Sequence, residues 1–147
     1  MNAALSQVSA AVVVRRTIAA SAEDLFDAWL DAEALANWMR PGTIQSTVAK
    51  VDAHEGGCYE ITMQGESGPI VHKGVYRLID RPRRLVFTWV SPHTELRESL
   101  VTVDFMRAGS GTEVIVTHEQ LPESEKAGHS RGWTSGLEHL DEAYGHG

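Results

Sequence analysis

The titratable side chain best placed to do chemistry is His118. In segment 112–119, Val114 and Val116 alternate with polar residues, so a period of two carries the imidazole to the same face as the two valines. An imidazole that faces a cavity can act as a general base or donate a hydrogen bond to a ligand. A histidine satisfied by a neighbour at the end of a strand is the alternative, which we favour. We therefore assign no catalytic residue and retain His118 as the candidate.

Motifs for metals and cofactors are missing from the sequence. None of the seven histidines has the H-x-x-x-H or H-E-x-x-H spacing, and a single cysteine, Cys58, cannot form a thiolate site. There is also no phosphate-binding P-loop and no dinucleotide fingerprint, because the glycine pairs fall in predicted hairpin turns. We expect neither a metal nor a cofactor.

The composition is that of one globular domain. The chain has 147 residues, of which 42% are hydrophobic and 22% charged, enough to bury a core. A net charge of -7 disfavours binding to nucleic acid or to anionic lipid. One cysteine, no signal-peptide pattern and no apolar run near the roughly 18 residues of a membrane helix favour a cytoplasmic protein without membrane contact.

The first part of the chain predicts a strand followed by two short helices. β-Branched residues dominate segment 8–18, which indicates a strand. Ser21 is a suitable N-cap for the first helix, and a second helix is predicted over 32–38. Residues 1–7 are small and polar, so we expect them to be disordered and a single domain to cover residues 8–145.

The remainder predicts an antiparallel sheet and one long helix. From residue 44 to residue 119 the hydrophobic period is two, and short turns separate the predicted strands, as in a meander. After Pro122 the period returns to three or four, which predicts a helix over 122–144. Packing this helix across the concave face of the sheet gives a two-layer α+β domain.

This order of elements resembles the helix-grip fold of the START-like, or SRPBCC, superfamily. Several motifs resemble the activator-of-heat-shock-ATPase-like group within it: W-x-D at 29–31, P-G at 41–42, G-G-x-Y-x-x-x-M at 56–63, PRRLVFTW at 82–89 and G-W at 132–133. Two positions depart from the pattern. Ala32 replaces a usual proline, and Met39 stands where a second tryptophan is common, which alters the wall of any pocket there.

The resemblance implies a curved antiparallel sheet of about seven strands wrapped around the C-terminal helix, with a cavity between them. Alternation along the strands and the helical period select side chains that face this cavity. The ligand-binding candidates are Trp38, Met39, Tyr59, Met63, Tyr76, Trp89, Phe105, His118, Trp133 and Leu137. The alternative is that such residues fill a core, which we expect for most of the aliphatic ones.

Two of the glycines in the predicted terminal helix, at its interior, require an explanation. Gly132 and Gly136 each cost about 1 kcal/mol relative to alanine in an exposed helix interior. They allow either a close approach of the sheet backbone to the helix or space for a ligand. A dry void of about 300 Å³ would cost about 7 kcal/mol, so such a space should be wet, occupied or absent.

Three functional hypotheses follow from the resemblance. The leading one is a protein that binds a small hydrophobic or aromatic molecule between helix 122–144 and the sheet. The second is a cyclase or dehydratase that uses His118 with Tyr59 or Tyr76 on a polyketide-like substrate, for which few inward ionisable residues are available. The third is a protein-interaction module, such as a chaperone partner, although the family's co-chaperone uses an additional domain. Exposed edge strands would also allow a homodimer.

Overall fold

The fold is described over residues 10–146 in a computed structural model. The expected disorder of residues 1–7 lies outside the described residues, as do the first two positions of the predicted domain 8–145. Within the described range, strand β1 begins at Val12, which is later than the start of the predicted strand 8–18.

Seven strands form a single antiparallel sheet, as predicted. They are β1 (Val12–Ile18), β2 (Ser46–Val51), β3 (Cys58–Gly65), β4 (Gly68–Asp80), β5 (Arg84–Trp89), β6 (Ser99–Ala108) and β7 (Gly111–Glu119). Their order in the sheet is β1-β7-β6-β5-β4-β3-β2. Strands β2 to β7 are thus neighbours in chain order, because short turns let each strand pair with the next. Strand β1 completes the sheet by pairing with β7.

The helices also follow the predicted order. Helix α1 (Ala22–Ala28) and helix α2 (Ala32–Trp38) lie between β1 and β2, and helix α3 (Lys126–Tyr144) ends the fold. The side chain of Ser21 accepts a hydrogen bond from the backbone N–H of Asp24 at 3.1 Å, which confirms the predicted N-cap. A single 3₁₀ turn (Glu123–Glu125) precedes α3, so the α-helical part of the predicted helix 122–144 begins four residues later.

The core lies between α3 and the concave face of the sheet. Alternate side chains of β3 to β7 are buried there, at Tyr59, Ile61, Met63, Tyr76, Leu85, Phe87, Trp89, Val101, Val103, Phe105, Val114, Val116 and His118. From α3 come Trp133, Leu137 and Leu140. The period of two therefore identified the inward face of the sheet correctly.

Aromatic rings fill the centre of this core. The ring centroids of Trp29 and Trp133 are 5.8 Å apart in a stacked arrangement, and those of Phe26 and Phe105 are 5.1 Å apart. Beside Trp29 a void of about 10 Å³ remains. The large central cavity implied by the resemblance is absent from this region, because the large side chains occupy the space.

Candidate ligand-binding cleft

A cleft of about 420 Å³ opens at one end of the core, beside the first turns of α3. Its walls are formed by α3, by the loop that follows α2, and by β3, β4 and β5. The apolar side chains that line it are Met39, Pro41, Ile44, Met63, Ile70, Trp89 and Trp133. A pocket of this volume with mainly apolar walls is of the kind that holds small molecules in proteins.

A larger depression of about 810 Å³ lies between α1 and the turns of the β4–β5 and β6–β7 hairpins. Four of its charged side chains are already paired: Arg84 with Asp104 at 2.7 Å and Arg83 with Asp80 at 3.6 Å. Exposed ion pairs of this kind are well solvated and contribute little to recognition. We therefore regard the smaller, more apolar cleft as the candidate site.

A chain of hydrogen bonds holds Trp133 in the wall of the cleft. The indole N–H of Trp133 donates to Nδ1 of His118 at 3.0 Å. Because Nδ1 accepts, Nε2 of His118 carries the proton and donates to Oγ of Ser99 at 2.8 Å. Oγ of Ser99 in turn donates to the carbonyl oxygen of Trp89 at 2.6 Å. The chain thus links β7, β6, β5 and α3 through polar groups that are all satisfied.

His118 has no lone pair available for chemistry. The residue is 1% exposed, and burial, followed by the nearby His129, lowers its pKa from 6.5 to about 3. Both ring nitrogens are occupied, and His118 lies behind Trp133 rather than in the cleft wall. The arrangement matches the alternative that the sequence favoured, a histidine satisfied by its neighbours at the end of a strand.

Three other histidines line the cleft. Burial lowers the pKa of His72 from 6.5 to about 4, and its ring centroid lies 4.8 Å from that of Trp89. Burial also lowers the pKa of His129, whose Nδ1–H donates to the backbone carbonyl of Glu125 at 2.8 Å. His93 lies at the rim, with Nδ1 3.7 Å from a carboxylate oxygen of Glu125. His72 and His129 therefore offer polar but uncharged groups near neutral pH.

The structure brings together four of the ten predicted ligand-binding residues. Met39, Met63, Trp89 and Trp133 line the cleft. Of the others, Tyr59 and Tyr76 line the 10 Å³ void, whereas Trp38, Phe105, His118 and Leu137 are buried away from the cleft. The reason is that inward side chains in the middle of the sheet pack against each other under α3. Only those at one end reach open space.

Two cleft residues, His72 and His93, were not predicted from the sequence. A signal existed for His72, because it lies four residues before Tyr76 in β4, and a period of two places both on the inward face. No comparable signal existed for His93. It lies in a 3₁₀ turn (Pro92–Thr94), where neither a strand nor a helix period applies.

Of the three glycines in α3, Gly128 and Gly132 line the cleft and Gly136 does not. A Cβ atom added at Gly132 would lie 3.8 Å from Cβ of Pro41, and one added at Gly136 would lie 3.8 Å from Cζ3 of Trp38. Both distances are ordinary van der Waals contacts with side chains. Close approach of the sheet backbone is therefore not the reason for either glycine. Gly132, like Gly128, lies in the cleft wall, where the absence of a side chain leaves space.

The sequence Gly128-His129-Ser130-Arg131-Gly132 matches the G-x-S-x-G pattern of hydrolases, which the sequence analysis overlooked. In hydrolases the serine lies on a sharp turn between a strand and a helix. Here all five residues lie within α3, and Ser130 does not line the cleft. The pattern is therefore not a nucleophile elbow.

Within residues 10–146, no group of three His, Cys, Asp or Glu side chains is arranged to hold a metal ion. None of the helices in this range is both long enough and apolar enough to cross a membrane.

Comparisons with known proteins agree with the fold. A solved protein from Chromobacterium violaceum shares 22% identity with a TM-score of 0.79, over 91% of this chain and 96% of that one. A protein from Rhodobacter sphaeroides shares 23% identity with a TM-score of 0.79, over 93% and 96% of the two chains. An HSP90 activator from Plasmodium falciparum shares 27% identity with a TM-score of 0.70, over 92% and 95%.

No sequence among the curated proteins matches this chain. The family model described as "Activator of Hsp90 ATPase homolog 1-like protein" matches residues 19–145. This match extends from the end of β1 through α3, so it includes every residue of the cleft. The chain belongs to the family of Activator of Hsp90 ATPase homolog 1-like proteins.

Proposed function

We propose that this protein binds a small hydrophobic or aromatic molecule in the cleft beside α3. The observation that supports the proposal is the 420 Å³ volume bounded by Met39, Met63, Trp89 and Trp133. Flat indole rings and flexible methionine side chains are suited to aromatic guests of variable shape. The site thus lies at one end of the helix, not along its whole length.

The polar groups of the cleft favour an uncharged ligand. The lowered pKa values of His72 and His129 leave both imidazoles neutral at pH 7. Arg131 and Glu125 also line the cleft, and together they add no net charge. A neutral ligand can form hydrogen bonds with the histidines without the cost of stripping water from a charge.

The test uses an apolar aromatic probe, 2-isopropenylnaphthalene, and protein labelled with ¹⁵N at tryptophan. We expect the probe to shift the indole signals of Trp89 and Trp133 in the unmodified protein. The variant Gly132→Leu fills the cleft and should weaken binding at least tenfold. Thr134→Leu is the matched control, because it adds the same side chain to an exposed position of α3 outside the cleft.

The outcome that would contradict the proposal is equal binding by the two variants. Gly132→Leu must also be shown to remain folded, from its circular dichroism and its urea midpoint. If a folded Gly132→Leu protein binds the probe as tightly as Thr134→Leu does, the cleft is not the binding site.

An enzyme of cyclase or dehydratase type finds less support in the geometry. Such an enzyme was expected to use His118 with Tyr59 or Tyr76. The nitrogens of His118 are both occupied, and the hydroxyl of Tyr59 donates to the carbonyl of Thr88. Burial also raises the pKa of Tyr59 well above its usual value, so the phenolate that could act as a base is not populated near neutral pH.

A second candidate function is regulation of a chaperone ATPase. The observation that favours it is the 27% identity to an HSP90 activator over nearly the whole of both chains. We expect, under this alternative, that the protein raises the steady-state ATPase rate of Hsp90 in a concentration-dependent manner. A rate unchanged at saturating concentration would exclude the alternative, and Gly132→Leu would show whether the cleft takes part.

A further inference from the structure

Two of the four tryptophans have an unsatisfied indole N–H. Trp38 donates to the carbonyl of Ala28 at 3.0 Å, and Trp133 donates to His118. In contrast, Nε1 of Trp29 and Nε1 of Trp89 are fully buried without a hydrogen-bond partner among residues 10–146. Buried donors are nearly always satisfied in folded proteins, so two unpaired indoles in one core require an explanation.

Both indoles line the same small void. This void has a volume of about 10 Å³ and is bounded by Trp29, Trp89, Tyr59, Tyr76 and four apolar side chains. About this volume is needed to hold one water molecule, or the oxygen atom of a larger molecule. No charged side chain belongs to the wall.

Two side chains separate the void from the cleft. Met39 and Trp89 belong to the walls of both spaces. Met39 is 2% exposed and immediately follows α2. A methionine side chain has three rotatable bonds and adapts readily to its surroundings, so rotation of Met39 would connect the void to the cleft.

We propose that the void is the subsite for a hydrogen-bond acceptor of the ligand. The proposal rests on the proposed function, ligand binding in the cleft. The ligand class is an apolar or aromatic molecule that carries an uncharged oxygen acceptor, such as a ketone or aldehyde carbonyl, at one end. The ring system lies in the cleft against the indoles of Trp89 and Trp133, whose centroids are 5.3 Å apart. The oxygen passes Met39 and accepts hydrogen bonds from the indoles of Trp29 and Trp89.

The walls of the void select a neutral acceptor rather than a carboxylate. A carboxylate in this position would lose its hydration without gaining a positively charged partner, which is strongly unfavourable. A carbonyl oxygen loses less on leaving water, and two indole donors can replace its hydrogen bonds. The void also has room for one water molecule, whose two lone pairs can accept from the same two donors.

The experiment compares two probes of the same shape. In 2-acetylnaphthalene a carbonyl oxygen replaces the terminal CH₂ of 2-isopropenylnaphthalene, so the two molecules differ chiefly in the acceptor. Each probe is added to protein labelled with ¹⁵N at tryptophan, and the four indole N–H signals are followed. The signal of Trp38 is the internal control, because its donor already has a partner and Trp38 does not line the cleft. The signal of Trp133 reports binding in the cleft itself.

We expect 2-acetylnaphthalene to move the indole protons of Trp29 and Trp89 downfield, and 2-isopropenylnaphthalene to lack this effect. A second measurement uses Trp89→Phe, which removes the donor but keeps an aromatic ring. The affinity ratio of the two probes should fall about three- to tenfold in this variant, the effect of one neutral hydrogen bond. Taking the ratio cancels the difference in hydrophobicity between the probes.

Results that would refute the subsite can be told apart from results that would refute ligand binding in the cleft. If both probes bind but shift the indole protons of Trp29 and Trp89 equally, the subsite is refuted and ligand binding in the cleft stands. An affinity ratio unchanged in a folded Trp89→Phe protein has the same meaning. If neither probe shifts any indole signal, both the cleft and its subsite are refuted.

Discussion

Replacing Gly132 by alanine tests whether this glycine provides space or relieves strain. The backbone at Gly132 is helical and does not require glycine, because its φ does not lie in the left-handed region. An added Cβ would lie 3.8 Å from Cβ of Pro41, which is an ordinary contact. Nothing in the folded state therefore opposes the methyl group.

The expected magnitude follows from helix propensity. Alanine is about 1 kcal/mol more favourable than glycine in a helix interior. The free energy of unfolding of Gly132→Ala should therefore rise by about 0.5–1 kcal/mol, which corresponds to roughly 2–4 °C in Tm for a domain of this size. Gly136→Ala is the matched control. Its added Cβ also meets a side chain at 3.8 Å, but outside the cleft.

The assay is urea unfolding of both variants, followed by circular dichroism and combined with a titration of 2-isopropenylnaphthalene. Both alanine variants should be more stable than the unmodified protein, and only substitutions at 132 should weaken binding, with leucine having a much larger effect than alanine. A Gly132→Ala protein less stable than the unmodified one would refute the reasoning, since the glycine would then be required by the fold.

Two further predictions concern the buried histidines. Trp133→Phe removes the donor to Nδ1 of His118 and should lower the free energy of unfolding by about 1–3 kcal/mol in urea, the cost of an unsatisfied buried acceptor; a change within experimental error would contradict the assigned hydrogen-bond chain. The pKa values of His72 and His118 are about 4 and 3 in the folded protein and 6.5 for the free side chain. The unfolded chain therefore binds more protons than the folded protein below pH 6.5. The free energy of unfolding should be highest above this pH and should fall below it by about 1.4 kcal/mol per pH unit for each histidine. His72→Gln should remove about half of this dependence between pH 6 and pH 5, and an unchanged slope would be inconsistent with the burial of His72.

The sheet and its inward face could be predicted because each depends on local patterns. A period of two specifies which side chains of a strand share a face, and the thirteen inward positions are all buried. The N-cap at Ser21 is similarly a matter of a few adjacent residues. The cytoplasmic location and the homodimer stay predictions, because the fold of a single chain tests neither of them.

The position of the cleft could not be predicted, because it depends on how distant segments fill space. A period gives the face of a strand but not the point along the strand at which packing ends. Tyr59 and Met63 lie on the same face of β3, yet Tyr59 borders the packed core and Met63 lines the cleft. The difference arises from the path of the loop after α2, which no short motif specifies.

A satisfied histidine was the favoured alternative for His118, but its hydrogen-bond partners could not be identified from the sequence. Its partners Ser99 and Trp133 lie 19 and 15 residues away. The antiparallel register places Val101 opposite His118, which brings the nearby start of β6 within reach of the imidazole. Hydrogen bonds with Ser99 and Trp133, which lie in different elements, thus occupy both ring nitrogens of His118 and keep the imidazole neutral.

The glycines of α3 connect the stability of the protein to its cleft. Together, Gly132 and Gly136 cost the helix about 2 kcal/mol relative to alanine, a substantial part of the 5–15 kcal/mol by which a domain of this kind is stable. Both positions accept a methyl group without a clash, so folding alone does not account for this cost. At Gly132 the benefit lies in the cleft, where a larger side chain would occupy the volume beside Trp133 and Pro41. Proteins commonly retain a destabilising residue where activity depends on it, and Gly132 is where the stability of this chain and its proposed function are in direct conflict.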